Sequence, residues 1–136
     1  MRIIVDANVL FSALLKDSLT RKIWFNSELM LYSTKFMLVE LSKYKPYLLK
    51  KYAGEEEDFN NLTIKLLSKI KFIDDSKLVP FLPAAESLIS DEKDQLYIAL
   101  ALKEGTPIWS NDLGFKQQRR IRVFSTLELA GELNLL

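Results

Sequence analysis

The segment Ser90-Asp91-Glu92-Lys93-Asp94-Gln95-Leu96-Tyr97-Ile98-Ala99-Leu100-Ala101-Leu102 constrains the fold of this chain more than any other. Ser90 and Asp91 are helix-capping residues, Glu92 and Asp94 fill a first turn where the helix dipole favours acids, and Gly105 with Pro107 closes the far end. Beyond the first turn this helix is apolar on nearly every side, so it needs a sheet beneath it and other helices beside it. Asp91, Asp94, Ile98 and Ala101 recur at spacings of three and four, which predicts that both carboxylates share the inward face. An ionised carboxylate buried without a partner is costly, and the chain has no histidine to stand beside these two. A cation is therefore expected next to them, unless they are less buried than the spacing suggests.

The rest of the chain supplies the sheet and the remaining helices. Arg2 to Val5 is a short β-branched run ending at Asp6, as in a central parallel strand buried on both faces. A helix carrying Val9, Leu10, Phe11, Ala13 and Leu14 follows, then a second helix from about Thr20 to Asn26 and a strand from Leu29 to Ser33. Ser33 or Thr34 is expected to cap a third helix over Phe36 to Leu41, which Pro46 should kink or end before a short helix from Tyr47 to Tyr52. Glu55 to Asp58 lead an amphipathic helix from Phe59 to Ile70, and Lys71-Phe72-Ile73 reads as a strand. Asp74 to Pro83 is irregular, and Pro83 to Leu88 makes a helical turn or two. Pro107-Ile108-Trp109 is an apolar strand ending in Ser110-Asn111-Asp112, Val123-Phe124 is a last strand, and Ser125-Thr126-Leu127-Glu128 is a capping box opening the final helix. Strands alternating with helices imply an α/β fold, a three-layer α/β/α sandwich on a mainly parallel sheet, formed by residues 1–136 as a single domain.

Composition removes whole classes of chemistry. With no histidine and no cysteine, the chain has no Ser-His-Asp or Cys-His machinery, no disulfide and no ordinary zinc site. A net charge of +1 gives no bulk field to attract nucleic acid, so a site of that kind must be local. The early acid at Asp6 argues against a signal sequence, no apolar run is long enough to span a bilayer, and the cysteine count fits the cytoplasm.

What remains is acids. Asp6 and Asp112 end separate strands, Glu40 interrupts an apolar helix, and Asp94 lies in the first turn of a buried one. In a parallel sheet, strand ends and the helix starts that follow them gather on one edge. Carboxylates packed there repel one another, and Mg²⁺ or Mn²⁺ resolves the conflict because hard cations prefer oxygen ligands and retain water for a substrate phosphate. Lys43, Lys45, Lys50 and Lys51 make the third helical region basic, a pattern that solvated helix faces also show.

These residues resemble the PIN-domain ribonucleases, and within them the VapC-like toxins of toxin–antitoxin pairs. The likeness lies in Ile3-Ile4-Val5-Asp6-Ala7-Asn8-Val9-Leu10, in Glu40, in Asp94 to Leu102 and in Trp109-Ser110-Asn111-Asp112, in that order along the chain. It implies an Mg²⁺- or Mn²⁺-dependent RNA endonuclease with Asp6, Glu40, Asp94 and Asp112 as the catalytic, metal-holding set. Asn8 and Ser110 correspond to polar residues that orient the acids or their waters, and Asp91 is a further supporting position. It also implies a homodimer and a small antitoxin as partner. For the RNA backbone the sequence offers Lys35, Lys43, Lys116, Arg119 and Arg120.

Other readings remain open at this level. A phosphoacceptor receiver domain would want an acidic pair near Asp6 and a late lysine where Asp112 stands, and haloacid-type phosphatases have Asp-x-Asp where this chain has Asp6-Ala7-Asn8. No glycine-rich phosphate loop is present. A non-catalytic interaction or scaffold module with the same fold is the main rival.

Overall fold

Five short apolar runs pair as parallel strands in the structure, a computed structural model that describes residues 1–15 and 18–136. They are β1 (Arg2–Val5), β2 (Met30–Thr34), β3 (Ile70–Ile73), β4 (Ile108–Trp109) and β5 (Val123–Phe124), in the order β3-β2-β1-β4-β5. Ile3 stands opposite Leu31 across one side of β1, and Ile4 opposite Ile108 across the other. Successive residues of a strand point to opposite faces, so Ile3 and Val5 enter one apolar cluster and Ile4 the other. The first cluster draws on α1 (Ala7–Leu15), α2 (Ser18–Trp24), α3 (Phe36–Lys51), α4 (Glu56–Leu67) and α7 (Thr126–Glu132). The second draws on α5 (Leu82–Leu88) and α6 (Glu92–Glu104). Helices therefore cover both faces, the condition under which an all-parallel sheet avoids water, and the expected three-layer α/β/α sandwich is what forms.

The helix that organised the sequence reading is α6. Asp91 caps it, accepting from the Lys93 amide at 3.0 Å, and Tyr97 to Ala101 are buried without interruption. Gly105 ends it in the left-handed region at φ 62°, ψ 43°. A β-carbon there would meet nothing within 4 Å, so the obstacle to any other residue is the backbone angle alone. Gly105→Ala is expected to cost about 1 kcal/mol, lowering Tm by roughly 4 °C in a thermal melt. An unchanged Tm would show that the cap is not held in that conformation.

Several local expectations gave way to tertiary contacts. Pro46 lies inside α3, which runs unbroken to Lys51. Proline removes the bond its amide would make to residue 42, and both Pro46 and Ser42 are exposed, so water can serve the freed carbonyl. Ser33 and Thr34 do not cap α3. Both are buried at the end of β2, where the Ser33 hydroxyl donates to the Val5 carbonyl at 2.8 Å, and Lys35 occupies the cap position without a side-chain bond. Ile70 pairs with Leu31 as the first residue of β3, and α4 stops at Leu67. The stretch after Asp74 is ordered as a 3₁₀ segment, Asp75–Phe81, leading directly into α5.

Candidate functional site

Asp6 and Ser110 follow β1 and β4 at the carboxyl edge of the sheet, and the register of those strands sets them side by side. Asp6 is 3% exposed. Its Oδ1 accepts from the Val9 amide at 2.9 Å in the first turn of α1, and its Oδ2 accepts from the Ser110 hydroxyl. Ser110 Oγ accepts in turn from the Asp112 amide at 3.0 Å, and Asp112 Oδ1 accepts from the Gly114 amide at 2.8 Å. The polar triplet after β4 is thus divided by direction. Ser110 faces Asp6, Asp112 caps the 3₁₀ turn Leu113–Gln117, and Asn111 turns away to bond Thr126 at the start of α7.

Glu40 and Asp94 come from helices on opposite faces of the sheet. Tyr97, three residues after Asp94, donates its hydroxyl to Glu40 Oε1 at 2.7 Å and so joins α6 to α3. Nothing in the helical spacing alone assigns Tyr97 this partner. The available signal was its place one turn from Asp94, on the same side of the helix, since a buried tyrosine hydroxyl needs a partner.

Electrostatics tie the acids together. Burial pushes the Asp6 carboxyl up to about 6, against the lowering effect of its Ser110 and Val9 bonds, with Asp112 and Glu40 raising it further. Asp94 is pushed up to about 7 by burial and then by Asp91, Asp112, Asp6 and Glu40. Burial also raises Glu40, while the Tyr97 bond and the charges of Lys93 and Lys43 oppose the rise. Five carboxylates thus share one field.

They do not form a ready-made cage. Among the described residues no three acids stand close enough to hold an ion between them as the side chains lie. Four of the five have turned to a donor nearby: Asp6 to Ser110 and Val9, Glu40 to Tyr97, Asp112 to Gly114, Asp91 to Lys93. As a donor set, all carboxylate oxygen and no nitrogen or sulfur, they suit a hard divalent cation, and their mutual repulsion is what such an ion would relieve.

One expectation changes at this level. Asp91 does not share the inward face with Asp94: it is exposed, because its carboxylate caps the helix, while Asp94 is half-buried. The five basic residues offered for the RNA backbone stand in different places. Lys43 lies near enough to act on Glu40, as does Lys93, which the sequence reading passed over. Lys35 pairs with Asp74 at 3.3 Å and Lys116 with Glu128. Arg120 lines a cavity with Met1, Glu28, Pro107 and Arg122, residues that precede the strands, so it lies at the opposite edge of the sheet. Arg119 and Asn8 are exposed, Asn8 in the first turn of α1.

Residues 4–123 match the family model of the PIN domain. No curated protein matches the sequence. Among solved structures, the chain resembles one in the VapBC2 complex from Rickettsia felis bound to a DNA fragment from its promoter, at 18% identity over 92% of this chain and 98% of that one, with a TM-score of 0.68. It also resembles a chain of a toxin–antitoxin complex from Klebsiella pneumoniae (13% identity, 91% and 97% covered, TM-score 0.65). A third likeness is to DNA-bound VapBC from Salmonella typhimurium (18%, 93% and 98%, 0.60). At these identities the structural likeness concerns the fold.

Proposed function

The chain belongs to the PIN-domain family, and on that premise we propose that it is a divalent-metal-dependent endonuclease that hydrolyses RNA phosphodiester bonds as the toxin of a toxin–antitoxin pair. The observation that carries this reading is the convergence of acids from four separate parts of the chain on one sheet edge, where Asp6 and Asp94 feel the charge of the others. In this proposal Asp6 and Asp94 hold Mg²⁺ or Mn²⁺ directly, and Asp112 and Glu40 hold it directly or through water. The ion, when bound, polarises the scissile phosphate and lowers the pKa of the attacking water.

The chain's own groups do the positioning. Ser110, donating to Asp6 and accepting from the Asp112 amide, keeps these two acids in one orientation. Tyr97 does the same for Glu40 across the gap between α3 and α6. One of the carboxylates accepts the proton released by water. Asn8 and Asp91 flank the acids as supporting groups, and Lys43 at the rim is placed to meet a backbone phosphate. No helix among the described residues is long and apolar enough to cross a membrane, and an RNA substrate puts the protein in the cytoplasm in this reading. The likeness to chains of toxin–antitoxin complexes supports a small antitoxin as partner, and the proposal includes a homodimer and a single nuclease domain over residues 1–136.

The test is direct. Labelled single-stranded RNA mixed with the protein and Mn²⁺ should be cut, and EDTA should stop the cutting. RNA that stays intact with metal present would favour a non-catalytic binding module.

A further inference from the structure

Beyond the acidic edge, α3 carries a stripe whose chemistry the nuclease reading does not use. Glu40, Tyr44, Tyr47 and Lys51 are spaced four, three and four residues apart, and Lys43 and Lys50 flank them, so all share one side of the helix. The opposite side, with Leu38, Leu41 and Lys45, faces Phe59 and Thr63 of α4 across a groove. On the stripe, Tyr47 is 57% exposed and offers its ring to solvent, whereas Tyr44, 36% exposed, packs its ring against Phe11 of α1 at 5.6 Å between centroids. Each ring has a lysine over it: Lys51 Nζ lies 5.8 Å from the Tyr47 centroid and Lys43 Nζ 5.5 Å from that of Tyr44. Among the described residues Lys43, Lys50 and Lys51 take part in no ion pair. Glu40, the single acid of α3, marks the end of the stripe that meets the acidic edge, and it is held there by Tyr97.

From these placements we infer that the outer side of α3, from Lys43 through Tyr44 and Tyr47 to Lys50 and Lys51, is a binding track for single-stranded RNA leading to the acidic edge. The inference rests on the nuclease reading for its direction but not for its chemistry. Exposed aromatic rings stack unpaired bases, and cations beside them meet the phosphates. Duplex RNA offers no bases to stack, so the strand bound here is unpaired. At 1.5 Å per residue the stripe from Glu40 to Lys51 is roughly 16 Å long, room for a few nucleotides of an unpaired strand. Lys45, on the groove side, is outside the track.

Binding is measured by fluorescence anisotropy with a labelled oligouridylate of about twelve nucleotides, in EDTA so that no cleavage occurs. Tyr47→Ala should weaken binding about tenfold and Tyr47→Phe should bind like wild type, since stacking needs the ring and not the hydroxyl. Lys50→Ala combined with Lys51→Ala should lower the slope of log affinity against log salt by about 1.4, two phosphate contacts on a single strand. Wild-type affinity and salt slope in all these variants would overturn the inference. So would a Tyr47→Ala protein that changes from dimer to monomer by light scattering with RNA affinity intact, because a second copy of the chain would then cover this face. The two readings fail separately. RNA held through Tyr47 yet never cut in Mn²⁺ removes the nuclease and leaves the track, whereas cutting by wild type with Tyr47→Ala unaffected in binding does the reverse.

Discussion

Asp6→Asn and Asp94→Asn are each expected to lower metal-dependent RNA cleavage by at least about a hundredfold, since even residues that only orient metal ligands are worth 10 to 100-fold. Asparagine keeps the shape of aspartate and removes its charge. At Asp6 the amide oxygen can still accept from the Val9 amide, so α1 keeps its first-turn bond. The fold should therefore survive; besides the charge, the variant loses the bond that Oδ2 accepts from the Ser110 hydroxyl. Cleavage is followed as initial rate on labelled RNA at saturating Mn²⁺, with circular dichroism to establish that each variant is folded. If either variant cleaves at wild-type rate, its carboxylate is not part of the reaction and the proposed metal set is wrong. Asp112→Asn and Glu40→Gln should cost less if they act through water.

The second large effect is on stability in the absence of metal. The folded protein holds the Asp6 proton up to about pH 6 and the Asp94 proton up to about 7, whereas an unfolded chain releases both near 4. Between those limits the folded state binds more protons than the unfolded one, so stability falls as pH rises from 4 through 7 and the loss is complete above that. For fully buried Asp6 the loss is about 3 kcal/mol at most; for half-exposed Asp94 solvent screens the effect. In EDTA, Tm should be several degrees lower at pH 8 than at pH 5. Asp6→Asn should remove much of that difference. Excess Mg²⁺ or Mn²⁺ should raise Tm at pH 8 and do little at pH 5, where protons already neutralise the acids. A Tm independent of pH over this range, with no metal response, would mean that Asp6 and Asp94 are neither buried nor crowded by the other acids, and the site would lose its rationale.

Much of the architecture is legible because it is local. Asp91 and Gly105 mark the two ends of α6 within one turn of the chain, Ser125 and Glu128 form a reciprocal capping box, and Val123-Phe124 stands as a strand between polar neighbours. Alternating segments of this kind leave few arrangements other than a covered parallel sheet. Where a local rule failed, a distant contact had replaced it. Pro46 is accepted in α3, whose buried Met37, Leu41 and Leu48 anchor the helix on both sides of it, and Ile70 leaves the helical pattern for a place beside Leu31.

The sequence by itself determined that the chain would alternate strands and helices, and that its chemistry would rest on carboxylates, since it has no histidine or cysteine. Periodicity, caps and composition act within a turn or two of the chain, so they can be read along it. Only the tertiary structure decided how the acids are held and which cations lie near them. The Ser110 hydroxyl reaches Asp6 across 104 residues and Tyr97 reaches Glu40 across 57. Lys116 and Arg120 turned out to lie in a surface ion pair and at the far edge of the sheet. Those outcomes depend on strand register and on the packing of two helical layers, and no spacing within a single segment encodes either one.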